Sequence, residues 1–155
     1  MGALSVDSLV IRRAAPPELS WVNERYPEVG FVASDARDLV LIAAIDGARA
    51  GLGRLVPLAR GESELGGIYV LPEFRGRSVA SAIVRHLVDA GALERLYCIP
   101  FTPLVPFYQG FGFHPAVTGT PVPEVIANKV RWCQSKYSQP VSLLVRLPAE
   151  HAEGA

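Results

Sequence analysis

Leu65-Gly66-Gly67-Ile68-Tyr69-Val70-Leu71-Pro72-Glu73-Phe74-Arg75-Gly76-Arg77-Ser78-Val79-Ala80 decides the reading of this chain. Its first part is a strand, the stretch around Arg75–Arg77 is a short basic turn, and Val79 opens a helix. Such a turn can aim several backbone N–H groups at one point. A helix N-terminus carries about half a positive charge and unsatisfied donors, which makes it a seat for phosphate oxygens. Arg75 and Arg77 add guanidinium groups, and Gly76 lets the backbone approach closely. The expected ligand is therefore anionic and carries a pyrophosphate. Taken alone, the turn reads equally well as a basic cap on an ordinary helix. A Walker-type loop is excluded, because no Gly-x-x-x-x-Gly-Lys-Ser/Thr run occurs. Gly110-Phe111-Gly112 lacks the third glycine of a dinucleotide fingerprint and does not lie between a first strand and its helix.

Working outward, Leu39–Ile45 is nearly all apolar and reads as a buried strand. Asp46-Gly47 is a hairpin signal that returns the chain as Arg49–Leu58, and Arg60-Gly61-Glu62 turns it again into the strand Glu64–Leu71. Ser5–Ala14 reads as a first strand. After Pro16-Pro17 a short helix runs over Glu18–Arg25 and ends at Tyr26-Pro27. Downstream of the basic turn, Val79, Ala80, Ile83, Val84, Leu87 and Val88 recur at helical spacing, with Ser81, Arg85, His86 and Asp89 opposite and Gly91 as the stop. Arg95–Ile99 is a strand halted by Pro100. Thr102-Pro103 resembles the cap and first residue of a short helix reaching Gln109, distorted by Pro106. Gly110–Pro115 turns into a strand, a helix runs from Glu124 to Lys136, Ser142–Leu147 is a last strand, and His151–Ala155 is a tail. The order predicts an α/β domain with a mixed sheet, one domain over residues 1–155.

The chain has 155 residues, of which 50% are hydrophobic, enough for a sizeable core. Lys plus Arg, 15, equals Asp plus Glu, 15. That balance argues against a nucleic-acid or anionic-membrane partner, whose affinity needs a basic excess. Cys98 and Cys133, with three scattered His, give neither metal-ligand spacing nor a disulfide framework. No apolar run approaches the roughly 20 residues of a membrane span, and no basic-then-apolar leader opens the chain. A cytoplasmic, reducing compartment is the expectation.

Arg75-Gly76-Arg77-Ser78-Val79-Ala80 resembles the acyl-CoA signature of the GNAT acyltransferase superfamily, Arg/Gln-x-x-Gly-x-Gly/Ala, with Ser78 at the inner glycine. Pro106-Phe107-Tyr108-Gln109-Gly110-Phe111-Gly112-Phe113 resembles its second signature, a Tyr four residues before a Gly-Phe pair. The order of the two, and the helix and strand between them, match the family as well. The resemblance covers Leu39 to Phe113. It implies a mixed, mostly antiparallel sheet of about 6–7 strands flanked by helices and splayed between strands four and five. It also implies an N-acetyltransferase that moves an acetyl group from acetyl-CoA to an amine by direct attack in a ternary complex, with no metal. By that resemblance, Ile68, Tyr69 and Val70 hold the pantetheine arm through their backbone. Arg75, Gly76, Arg77, Ser78, Val79 and Ala80 hold the pyrophosphate, and an N–H near Val70, loosened by a β-bulge, faces the oxyanion.

Tyr108 would then protonate the leaving thiolate, since a phenol near pKa 10 approaches a free thiol. The same residue reads otherwise as a core aromatic beside Phe107 and Phe111. Glu64, six residues before Val70, is either the base or a solvated charge next to Glu62, a water chain being the family's other route. The acceptor is a small-molecule or peptide amine, with nothing in the composition to choose between them. Homodimers are frequent in the family. The reading from another class is a non-catalytic acyl-CoA-binding or sensing module, which Ser78 favours and Tyr108 opposes. His86 and His114 read as solvated, and Cys98 as a small buried hydrophobe without a neighbouring base. Cys133 falls on one face of the late helix. Trp21, Tyr26, Phe31, Phe101, Trp132 and Tyr137 come from segments that often wall the acceptor site in such proteins, and each taken singly reads as packing.

Overall fold

The computed structural model describes residues 8–59 and 61–149. Ser5–Asp7 of the expected first strand, Arg60 of the expected turn and the tail His151–Ala155 lie outside the described residues. The elements are β1 (Leu9–Arg13), α1 (Leu19–Arg25), β2 (Leu39–Ile45), β3 (Ala48–Pro57), β4 (Glu62–Val70), α2 (Val79–Ala90), β5 (Arg95–Cys98), α3 (Val105–Gln109), β6 (His114–Pro115), α4 (Glu124–Lys136) and β7 (Leu144–Arg146). Their strands form an open seven-stranded sheet in the order β1-β2-β3-β4-β5-β7-β6. β4 and β5 run parallel, while β1 with β2, β2 with β3, β5 with β7 and β6 with β7 are antiparallel. The β4–β5 ladder joins Glu62–Glu64 to Arg95–Tyr97 and stops there. This is the mixed, mostly antiparallel sheet with flanking helices that the sequence predicts.

The chain divides into two compact units, Met1–Val56 with Gly67–Ala90, and Pro57–Gly66 with Gly91–Ala155. In the first, every residue from Val40 to Ile45 is buried, as the unbroken apolar run of β2 requires. The apolar stripe of α2, Val79, Ile83, Val84, Leu87 and Val88, is buried as its spacing predicts. β3 meets that stripe with glycines. A Cβ on Gly53 would lie 2.6 Å from Ile83 Cγ2, so the helix comes closer to the strand than any larger residue would allow. A second cluster gathers Val22, Tyr26, Val40, Leu52 and Tyr69.

Glu18 ties the entry of α1 to the sheet. Its carboxylate accepts from Arg12 Nη1 and Nη2 at 2.7 and 2.8 Å, from Ala15 N at 2.8 Å and from Arg49 Nε at 3.0 Å. Those donors, Arg12 foremost, hold it at about 2, well below the usual carboxylate range. In the second unit, Tyr97, Ile126 and Val145 form the centre of the core, and α4 begins at Glu124 as read.

One local expectation is refined and one corrected. Tyr26-Pro27 ends the α-helix at Arg25, as read. The chain continues as a 3-10 turn over Tyr26–Val29, with Pro27 in its first turn where no N–H is needed, and closes on Gly30 at φ +76°. Thr102 does not cap α3. Its hydroxyl meets Ser142 Oγ at 2.9 Å, a 3-10 turn covers Thr102–Leu104, and Pro106 sits in the first turn of α3, where its missing donor breaks no bond.

Leu87 is fully buried and Asp89 exposed on the same helix. Leu87→Ala is expected to cost about 2–5 kcal/mol and Asp89→Ala under about 0.5 in urea melts. Similar losses from both would overturn the helix phase. Because the folded-state pKa of Glu18 is depressed, its contribution is complete above about pH 4.5 and fades as pH falls towards about 2. Glu18→Gln should therefore flatten the acid side of the stability curve over that window, as read by melts at stepped pH.

Candidate active site

In the first unit, the basic turn lies at the mouth of α2. Gly76 has φ +84° and Ser78 φ +60°, so two left-handed residues bend the backbone within three positions. A Cβ on Gly76 would meet nothing within 4 Å, so conformation and not space requires glycine there. Ser78 takes the same region at a cost of about 1–2 kcal/mol, which explains why the resembled signature prefers glycine at this point. Arg75, Gly76, Arg77 and Ser78 are exposed, and Val79 is buried under the helix. Arg75 Nε reaches back to Val70 O at 3.4 Å, and the Arg77 guanidinium stands 5.8 Å from the Phe74 ring centre. The first N–H groups of a helix have no intrahelical acceptor, so this exposed turn joins free donors to two cations.

β4 enters the turn with a kink. Gly67 is left-handed, φ +63°, and its carbonyl accepts from the Tyr26 hydroxyl at 2.8 Å. Leu58 N–H donates to Glu62 O and Leu71 N–H to Ala50 O, registers that differ by one residue, so one extra residue enters between them as in a β-bulge. Because Leu71 N–H points at β3, alternation sends Tyr69 N–H the same way and Val70 and Ile68 N–H the other. Of the three backbone positions expected to bind, two thus face away from β3. The Tyr69 side chain is occupied, its hydroxyl donating to Glu28 Oε1 at 2.8 Å.

The second unit holds the ionisable candidates. Tyr108 on α3 is 6% exposed, its ring edge-on to Phe107 at 4.9 Å and to Phe113 at 6.0 Å. Burial pushes its phenol well above the ordinary range, and the neighbouring Cys98 adds to this. The hydroxyl is therefore held protonated. Glu64 is 6% exposed, which removes the solvated-charge reading. Both its oxygens meet Lys129 Nζ on α4, at 3.0 and 2.8 Å. No local pattern marks this partner, which lies 65 residues away.

Cys98 is buried, its thiol pushed well up by burial, and Cys133 is buried likewise. Neither is a nucleophile in that state. His114 is exposed in β6, and His86 is exposed with Nδ1 2.9 Å from Ala82 O. Phe101 packs edge-on to Tyr137 at 5.2 Å, and Trp132 edge-on to the same ring at 5.9 Å. Trp21 lies under Arg49 at 4.8 Å and Arg25 at 5.7 Å. Among the described residues no group of three or more His, Cys, Asp or Glu is placed to hold a metal ion, and no helix is long and apolar enough to cross a membrane.

The family profile described as Acetyltransferase (GNAT) family matches residues 8–113. No curated protein sequence matches the chain. Among solved structures, N-acetylglutamate synthase from Neisseria gonorrhoeae, complexed with coenzyme A and L-arginine, superposes with a TM-score of 0.71 at 16% identity over 92% of this chain. The chain spans only 34% of that protein's length. Rv2747 from Mycobacterium tuberculosis, in complex with CoA and NLQ, gives 0.71 at 19% identity, covering 90% of this chain and 99% of the other. The ribosomal-protein-S18-alanine N-acetyltransferase from Escherichia coli gives 0.69 at 14%, covering 95% and 98%. At these identities the likeness establishes the fold.

Ser78→Gly should leave stability unchanged or raised by up to about 1 kcal/mol, since glycine meets φ +60° without strain. Ser78→Val should lose about 1–2 kcal/mol and weaken CoA more than pantetheine in calorimetry. Equal CoA affinity in both variants would show that the turn does not hold the phosphates.

Proposed function

The chain belongs to the acetyltransferase (GNAT) family, and from that premise we propose that it transfers the acetyl group of acetyl-CoA to an amine by direct attack in a ternary complex. The observation that carries the reading is the basic turn at the head of α2, with left-handed Gly76 and Ser78 between exposed Arg75 and Arg77. It joins free helix donors, close backbone approach and two guanidinium groups in one short segment of the family-matched region, which suits the pyrophosphate of CoA. Ile68 and Val70, whose N–H groups turn away from β3, suit the pantetheine arm and the thioester oxygen.

In this reading the amine nitrogen forms a bond to the thioester carbon, and the carbonyl π electrons move to oxygen. A backbone N–H of β4 steadies that oxyanion. Collapse breaks the C–S bond, and the thiolate takes the Tyr108 proton to leave as CoA. Glu64 takes the proton shed by the amine, so atoms and charge balance and the product is the N-acetyl amine. Tyr108 suits the acid role because burial keeps its hydroxyl protonated. Acetyl-CoA is the proposed cosubstrate. Neighbours of the same fold carry CoA in their structures, and their names include acceptors as different as glutamate and a ribosomal-protein alanine. The acceptor class proposed is accordingly an amine of a small molecule or peptide.

Tyr108→Phe removes one hydroxyl and should leave acetyl-CoA binding nearly intact while lowering kcat by about 10²–10⁴. With its phenol raised, the acid is lost only as pH rises beyond the ordinary value near 10, so the parent's kcat should not fall on Tyr108's account at pH 9. Steady-state rates of CoA release across a panel of amines and pH values measure both. A kcat within about threefold of the parent would remove the acid role. A parent that binds acetyl-CoA and acetylates no amine would favour the sensing module.

A further inference from the structure

Tyr26 and Arg54 belong to neither signature, yet both sit under the kink of β4. Tyr26 is 0% exposed and Arg54 4%. The Tyr26 hydroxyl donates to Gly67 O at 2.8 Å. The Arg54 guanidinium lies 4.4 Å from the centre of the Tyr26 ring and donates to Ser34 Oγ at 2.7 Å and Val32 O at 3.1 Å. A Cβ on Gly67 would fall 2.5 Å from the Tyr26 oxygen and 3.0 Å from Arg54 Nε. The kinked backbone therefore rests directly on these two side chains.

No described peptide is cis, and in a trans peptide the C=O and N–H point in opposite directions. With its carbonyl held towards Tyr26, the Gly67–Ile68 peptide turns the Ile68 N–H away from it. Val70 N–H follows two residues on, by strand alternation. Glycine in an unsupported kink has several conformations open to it, and an oxyanion donor is effective only when already aimed. We propose that Tyr26, braced by Arg54, is a positioning residue for acyl transfer, fixing the Gly67 carbonyl so that the N–H groups beyond it face the thioester oxygen. This rests on the reading above in which β4 supplies the oxyanion donor. Burial drives the Tyr26 phenol upward, so it remains a proton donor wherever the protein is folded. The cation over its ring face strengthens that donor.

Tyr26→Phe tests it by removing only the hydroxyl. The expected result is a kcat lowered about 10–100-fold, the scale of a small misplacement at a reacting centre, with CoA affinity within about twofold of the parent. The thioester C=O band of bound acetyl-CoA in the infrared should shift back towards its unpolarised position, a signal that mere packing would not move. If Tyr26→Phe does not fold, Arg54→Lys carries the test. It keeps the charge, loses the planar stack and should move kcat and the band in the same direction. A folded Tyr26→Phe with kcat within about threefold of the parent and an unmoved band would overturn the proposal. The band needs no turnover. A parent that acetylates nothing would sink the functional reading, while the band still decided the role of Tyr26.

Discussion

One backbone atom, the carbonyl oxygen of Gly67, organises the first half of this protein. It faces inward because Gly67 is left-handed, and it finds the Tyr26 hydroxyl there. Tyr26 is in turn covered by Arg54, a buried cation whose desolvation would cost several kcal/mol without partners. The partners are Ser34 Oγ, Val32 O and the face of Tyr26. Asn23 grips Ser34 at both its N–H and its C=O, and Asp38 accepts from the Ser34 hydroxyl. The loop between α1 and β2 is thus fastened by polar contacts in addition to the packing of Val29 and Phe31 against the Tyr26 cluster. Removing one member would strand the others in a place water does not reach.

The second unit handles charge differently. Glu64 is buried on β4 and is matched by a single ammonium, Lys129, which spans both carboxylate oxygens. Tyr108, close by in chemistry, is kept neutral by burial. A neutral donor and a compensated carboxylate are chemically distinct groups, and that difference supports the proposal of Tyr108 as acid and Glu64 as base.

Periodicity and turn residues carried most of the fold. β2 and α2 were legible because their apolar spacing admits one element each, while Glu124–Lys136 was read as a helix despite unremarkable periodicity. The basic turn at the head of α2 was legible from its own local residues. Arg54 was not, because an arginine in a strand ordinarily points to water, and only the fold brings Ser34 and Tyr26 to it. Lys129 was hidden for want of any local mark of its partner. Thr102 misled because a hydroxyl before Pro has the look of a cap, while its actual contact, Ser142, lies 40 residues on. Contacts across such separations are set by tertiary packing, which local pattern does not encode.

The burial of both thiols has a practical consequence for anyone handling the protein. The chain has two cysteines, both free and both enclosed, with their thiolate forms disfavoured. A disulfide reagent added to the native protein will therefore react slowly with it and quickly with any free CoA in solution. The colour of such a reagent becomes a record of turnover with little contribution from the protein. Under denaturant the same two sulfurs become accessible together, so the chain carries its own chemical clock for global opening.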